Sequence, residues 1–419
     1  MGFGEGGARM AGMTPQAQKR ALGVIFLIML MDIVGLSILI PVAPYIVRRY
    51  SGDALMVTML SVIYATALFV SAPVLGKISD RIGRRRVLLV SVLGSAIGYF
   101  IFGIGGALWV LFLSRLIDGI TGGNLSTAAA YIIDVSRPEE RRKNMTLIGM
   151  AFGFGFILGP ALGGVLGQIS VDAPLFAAGV LSLLNAVLIY LLLPESLPKE
   201  RRETTALRAS DFNPLGAIGY MARKPGLGML LLVYALFNLS FNGVNSTAGV
   251  FIIQKFQTEP LQIGALFLVS GIATAIVQAA LVDRLGRKYG EKPMAFFSLA
   301  GGAVGGLLFL IAPALWLLFP IGFLTSAVTG FIWASLGTLS ANCVSEREQG
   351  QLSGVNAALG GLMAAVGPLW AGVAYDHIMP GSPYWIGAII LALACVALWR
   401  VKPQVPKWQQ QAGPQPASQ

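Results

Sequence analysis

ISDRIGRR, residues 78–85, returns as LVDRLGRK at residues 281–288, which sets Asp80, Arg81, Gly83 and Arg84 over Asp283, Arg284, Gly286 and Arg287 at a constant separation of 203. A second echo, GPALGG at 159–164 and GPLWAG at 367–372, is separated by 208. Two echoes in the same order at nearly one spacing mean that the chain is built twice over. What lies between them decides the material of each half. Of 419 residues, 55% are hydrophobic and only 12% charged, against about 25% charged in a typical soluble domain. A soluble fold is excluded. Charged residues divide the chain into long uncharged or nearly uncharged stretches, and a spanning helix needs about 20 mostly apolar residues. Two stretches, 87–133 and 293–345, are about twice that length and break naturally at Gly105-Gly106 and at Pro313. The expected architecture is all-α, with twelve transmembrane helices in two six-helix bundles. Because six is even, the two bundles start on the same side and repeat in parallel.

Orientation follows from Lys and Arg, which favour cytoplasmic loops. With the N-terminus inside, all but four of the 30 Lys and Arg fall on the cytoplasmic side; the exceptions are Arg48, Arg49 and Lys255 outside and Arg115 within a span. Both termini are therefore expected in the cytoplasm. The same bias accounts for the formal charge of +11, so no nucleic-acid partner is expected. The expected divisions are a cytoplasmic segment 1–20, a first half 21–194, a cytoplasmic linker 195–225, a second half 226–400, and a tail 401–419, rich in Pro and Gln and read as disordered. The first apolar stretch is too long for a cleaved signal and reads as an uncleaved span. Cys343 and Cys395 read as small apolar fillers, and the one histidine, His377, cannot make a metal site alone. Neither a cofactor nor catalysis is expected, since no nucleophile or metal-ligand cluster is present.

LIMLMDIVGLSILI, residues 27–40, contains one carboxylate, Asp32. An ionisable group at the bilayer centre costs at least about 2.5–3.5 kcal/mol, so such groups face a cavity and mark a pathway or relay. Well inside the apolar stretches stand Asp32 in the first span and Arg115 and Asp118 in the fourth. A rise of about 1.5 Å per residue places Asp32 and Asp118 at similar depth. Arg115 and Asp118 share a face with Gly122 and Ser126, small residues expected to let the first span come near. Two carboxylates and one permanent cation leave one acid unbalanced, and burial disfavours its charged form. Such a trio either loads and releases a proton or is an architectural bridge. In the seventh span Asn238, Asn242 and Asn245 lie on one face, serving as interhelical glue or as cavity lining. Trp333, Phe241 and Tyr234 offer aromatic faces to a flat or amphiphilic substrate. In the fifth span Gly149, Gly153, Pro160, Gly163 and Gly167 form a smooth stripe for close helix approach, with Pro160 permitting a bend.

GKISDRIGRRR (76–86) resembles the signature loop between helices 2 and 3 of the major facilitator superfamily, LSRLIDGITGG (113–123) its fourth-helix signature, and GFILGPALGG (155–164) the fifth-helix signature of its proton-driven antiporters. IPVAP (40–44), YIIDVSRPEERR (131–142) and EREQGQLSG (346–354) are similar to its tetracycline and multidrug efflux branch. The resemblance covers nearly the whole chain. It implies a monomeric proton-coupled antiporter in a bacterial-type inner membrane, which exports amphiphilic small molecules by alternating access. The nearest alternative is a proton symporter or facilitator for a small metabolite on the same fold. Proton coupling then falls to Asp32, Arg115 and Asp118. A cytoplasmic gate falls to Gly76, Asp80, Arg81, Gly83, Arg84 and Asp134, in which Asp80 caps a neighbouring helix and Arg84 reaches Asp134. The antiporter motif falls to Gly155, Gly159, Pro160, Gly163 and Gly164, and the substrate cavity to Asn238, Phe241, Asn242, Asn245 and Trp333. Tetracycline pumps also use an acid in the ninth helix. Residues 293–312 contain none, which points to a broader or different range of amphiphiles.

Overall fold

The computed structural model describes residues 14–202, 214–345 and 348–401, and among them the ordered elements are helices. The expected tail beyond residue 401, residues 1–13, part of the linker (203–213), and Glu346 and Arg347 lie outside the described residues. In chain order the first half holds α1 (Pro15–Ser37), the short α2 (Ala43–Val47), α3 (Ala54–Ile82), α4 (Arg84–Ile104), α5 (Leu108–Thr121), α6 (Asn124–Val135), α7 (Arg141–Ile169) and α8 (Ala173–Leu192). After α9 (Pro214–Ala222), the second half holds α10 (Leu227–Phe256), α11 (Pro260–Ala280), α12 (Val282–Tyr289), α13 (Glu291–Ile311), α14 (Leu315–Thr329), α15 (Phe331–Ala341), α16 (Gln349–His377) and α17 (Ser382–Arg400). Among the described residues, eleven helical segments, with Leu315–Ala341 taken as one, are long and apolar enough to cross a membrane. In lipid every backbone N–H and C=O must be satisfied within the chain, and the helix does this. Helix ends follow local chemistry. Thr14 accepts the Ala17 N–H ahead of Pro15, Glu259 and Gln262 form a capping box for α11, and Gly105 and Gly106 turn the chain with φ of +62° and +98°.

The two halves repeat in space as well as in sequence. α4 and α13 have 21 residues each, and α7 and α16 have 29 each, with Pro160 and Pro368 inside the latter pair. Each half has an interrupted helix pair at the corresponding place: α5 gives way to α6 at Gly122-Gly123, and α14 to α15 at Gly330. The loop repeat, however, slips. Gly83 ends α3 with φ +107° and ψ 149° and precedes α4, and the residue in that conformation ahead of α13 is Gly290 (φ +84°, ψ 157°). Gly286, its sequence counterpart, lies inside α12. The second loop is longer by a helical turn, so Arg84 corresponds in place to Glu291 and not to Arg287.

One end of the bundle carries the basic loops around residues 77–86, 137–143 and 284–292, and is called the basic end. At the opposite, far end the halves share one apolar cluster, in which Val42, Ile46, Val47 and Leu60 meet Val250, Phe251, Tyr375 and Tyr384. Toward the basic end each half keeps its own core, Ile25, Leu88, Tyr131 and Ile189 in the first and Leu230, Leu299, Leu336 and Leu398 in the second. Polar clasps reinforce the far end. The backbone N–H groups of Ala54 and Leu55, at the start of α3, donate to Oδ1 and Oδ2 of Asp376 on α16 at 3.0 and 2.7 Å. Tyr45 donates its O–H to the Thr258 carbonyl. The linker is more than a connector. Glu195 and Ser196 dock on the first half, while Met221 of α9 packs with Leu227, Leu352 and Val355 of the second.

Candidate functional site

The three ionisable residues of the apolar interior come together around the break between α5 and α6. Arg115 Nη1 donates to Asp118 Oδ2 at 3.0 Å, and the two residues are 4% and 3% exposed. The guanidinium lies 5.3 Å from the ring centre of Tyr99 and 5.0 Å from that of Phe102, while its Nε and Nη2 have no hydrogen-bond partner in the protein. Rings at this distance stabilise a cation through their quadrupoles. Ser95 on α4 also contributes to the electrostatic surroundings of Asp118. Asp32, half-buried on α1, is not the partner of Arg115. Its Oδ1 accepts from Nδ2 of Asn124, the first residue of α6, at 2.8 Å. The single cation is thus committed to Asp118, and Asp32 is held by a neutral amide.

Two expectations about packing are corrected here. Gly122 does not admit α1; a Cβ there would meet Leu68 of α3 at 3.0 Å, and one on Gly119 would meet Ala67 and the Tyr64 carbonyl at 2.6 Å. Ser126 likewise lies beside Gly76 of α3. Asn124 is what reaches α1. The glycine stripe of α7 is also divided. A Cβ on Gly149 or Gly153 would have nothing within 4 Å, whereas one on Gly155, Gly159 or Gly163 would collide with Ile33 or Ser37 of α1 or with the carbonyl of Ile38, which follows it. Ser37 uses the closeness, donating its Oγ–H to the Gly155 carbonyl at 2.9 Å. Gly164 faces α11, its Cβ position 3.2 Å from the Gly264 Cα, and the Pro160 carbonyl lies against Gly264 as well. The motif therefore serves two neighbours, α1 within its own half and α11 across the halves.

At the basic end Arg84 is nearly buried, pairs with Asp80 one turn before it, and donates from Nε to Asp134 Oδ2 at 3.2 Å. Asp80 does not cap a helix in this arrangement. The N-terminus of α4 is capped by Glu195, whose Oε1 accepts the Arg84 N–H at 2.8 Å, and Ser196 donates to Asp134 at 3.0 Å. Gly83 is required by its positive φ, and a Cβ there would in addition displace the Glu195 carboxylate that caps α4. Gly76 and Arg81 flank this network on α3. In the second half Asn238, Asn242 and Asn245 each turn the amide nitrogen back to the carbonyl four residues earlier, at 2.9, 2.8 and 2.8 Å. One N–H of each amide is thus held on its own helix, which leaves the second N–H and the Oδ1 for other contacts. Trp333 of α15 stands edge-on to Tyr234, Phe237 and Phe241 of α10, at centroid distances of 6.0, 5.1 and 6.2 Å. Asn124, Tyr99 and Glu195 were not among the residues singled out from sequence. A polar side chain directly after a glycine pair inside an apolar run was the available signal for Asn124.

A family model described as Major Facilitator Superfamily matches residues 25–288 and again 230–419. The chain belongs to the major facilitator superfamily. This superfamily member is a multi-pass membrane transporter and not an enzyme. It is 34% identical over 387 residues to the class C tetracycline resistance protein of Escherichia coli, covering 91% of this chain and 97% of that one. To the class B protein of Escherichia coli it is 30% identical over 381 residues, covering 90% and 93%. Among solved structures it superposes on the human organic anion transporter MFSD10 (TETRAN) with a TM-score of 0.69 at 26% identity, covering 92% of this chain and 100% of that one.

Proposed function

We propose that this transporter is a proton-coupled antiporter that exports amphiphilic small molecules across a bacterial-type inner membrane as a monomer. In this proposal α5 and α6 together complete a twelfth span, and the basic end, with both termini, faces the cytoplasm. The observation that carries it is the unequal partnering of the two buried acids. Asp118 is neutralised by Arg115 at 3.0 Å, while Asp32 has only an amide and is half-open. Of the two, Asp32 is the acid whose proton occupancy can follow the side to which the site is exposed, because its charged form is not pinned by a cation.

The far end is clasped across the halves while each half keeps its own core toward the basic end, and with the basic end in the cytoplasm this supports reading the state as closed to the outside. A substrate would then enter from the cytoplasm, and rocking of the halves would present the site outside, where a proton replaces it. The exposed rings of Phe241 and Trp333, with the amide of Asn245, supply an aromatic and polar wall of the kind an amphiphile needs. The names of the tetracycline resistance relatives support a tetracycline-like cargo. Beyond its first two residues α13 has no charge, so cargo would be recognised in the second half through neutral polar and aromatic contacts. Proteoliposomes with an imposed pH gradient and tetracycline as first probe test the reading. Gradient-driven uptake is expected to vanish in Asp32→Asn with insertion intact; uptake at the wild-type rate would overturn the coupling role.

A further inference from the structure

Asp32 and Asn124 meet where the fourth span is broken, and the amide is only half used. Nδ2 of Asn124 donates to Asp32 Oδ1 at 2.8 Å, while Asn124 Oδ1 is buried with no hydrogen-bond partner in the protein, and the residue is 5% exposed. An ionised carboxylate only accepts hydrogen bonds, a protonated one also donates, and a carboxamide carries donors at one end and an acceptor at the other. We propose that Asn124 is a positioning residue that keeps Asp32 hydrogen-bonded in both protonation states by turning its amide end over end. While Asp32 is ionised, Nδ2–H points at it. When a hydronium ion delivers its proton, one of its O–H bonds breaks, an O–H bond forms on a carboxylate oxygen and a water molecule leaves; the amide then gives up its Nδ2–H hydrogen bond, rotates, and Oδ1 accepts the new O–H. The position of Asn124 favours this: it opens α6 immediately after Gly122-Gly123, so its side chain enters from a helix end.

Among the described residues, the titratable groups that interact electrostatically with Asp32 from the packed helices are Asp118 on α5, Tyr64 on α3 and Tyr99 on α4. The charged residues of α7 are confined to 141–143 at the basic end, and α8 has none. Arg115 already answers Asp118. The partner left to follow the charge of Asp32 is the amide. Without it, one protonation state would hold a buried unpaired group, and the acid would be biased toward the other.

The inference rests on the proton-coupling role proposed for Asp32, and the test separates the two. Protein in lipid vesicles, without substrate, is titrated by infrared spectroscopy, and the carboxylic acid C=O band abolished by Asp32→Asn is followed. In the wild type that band is expected at a hydrogen-bonded frequency. Asn124→Leu is expected to move it to the free-acid frequency and to raise its midpoint by about one pH unit, because the charge-assisted bond that is lost is the stronger one. Asn124→Asp keeps the volume, adds an acid, and is expected to split the titration into two steps, the upper one above the wild-type midpoint. Asn124→Ser, whose hydroxyl both donates and accepts, is expected to keep frequency and midpoint near wild type. An unchanged midpoint and frequency in Asn124→Leu, or in Asn124→Asp should the leucine variant fail to insert, overturns the role of Asn124. If Asp32→Asn abolishes no titrating band, the coupling role of Asp32 fails instead.

Discussion

Arg115 and Asp118 are each almost wholly buried, so removing one member strands the other. Asp118→Asn is expected to cost about 3–5 kcal/mol through an uncompensated buried guanidinium, read as a fall in melting temperature in detergent. The double variant Arg115→Gln with Asp118→Asn is expected to recover most of that loss, since no charge is left behind. If the double variant melts as low as the single one, the pair is not what holds α5 in place. Asn242→Ala and Asn245→Ala are expected to change which compounds are exported while leaving the protons moved per substrate nearly the same. An altered stoichiometry with an unchanged substrate profile would move coupling into the second half. Asp32, Arg115 and Asp118 were legible in the sequence because an ionisable residue in an apolar run has few reasons to be there. Their pairing was not legible. Which acid takes the cation depends on side-chain reach across helices, and Asp32 meets Asn124 from a residue 92 positions away.

Among the helices, glycines separate into those that hold a crossing and those that face space. Gly159→Ala places a methyl within 1.9 Å of Ser37 Oγ and 2.9 Å of the Val34 carbonyl, and overpacking of this kind costs about 1–3 kcal/mol. Gly149→Ala and Gly153→Ala, with nothing within 4 Å, are expected to be neutral or slightly stabilising through helix propensity. Thermal melting of the three variants checks the contrast, and equal losses in all three would mean that backbone flexibility and not contact is what these glycines provide. The turn between α4 and α5 was legible because Gly105-Gly106 sits between two runs each long enough to span. Gly122-Gly123 was missed because it falls inside a single run of spanning length, where a pair of small residues reads as packing surface. The register of the loop repeat misled for a similar reason. The matching Asp-Arg and Gly residues fix a local alignment, and only Gly290, in the same conformation as Gly83, shows where the next helix starts.

Seen whole, the molecule has polar fastenings at both ends of an apolar bundle. At the basic end Asp80→Asn removes one of two carboxylates on Arg84 and is expected to slow transport while equilibrium binding of substrate persists. An equal drop in affinity would mean that this network does not gate. Glu348, at the start of α16, is bound by Lys224, and with Ser345 donating from its N–H and hydroxyl its carboxyl is held down at about 2. A carboxylate lowered in this way contributes its full stability above its ordinary value near 4.3 and loses it progressively as pH falls from there through about 2. The clip is therefore constant from about pH 5 to 8. Glu348→Gln is expected to leave the shape of the transport pH profile unchanged, and a displaced profile would show that this loop takes part in coupling. The parallel repeat and apolar spans were legible from composition and echoes, but the far-end clasp was not, because Asp376 lies next to the end of an ordinary span and its partners are backbone amides. Those amides have a use of their own. Asp53, which precedes α3, makes no capping bond, so the first N–H groups of that helix are finished by a residue of the other half. Each parting of the halves at the far end must release them to water, which makes the deuterium uptake of Ala54 and Leu55 a built-in clock for how often the resting transporter opens at that end.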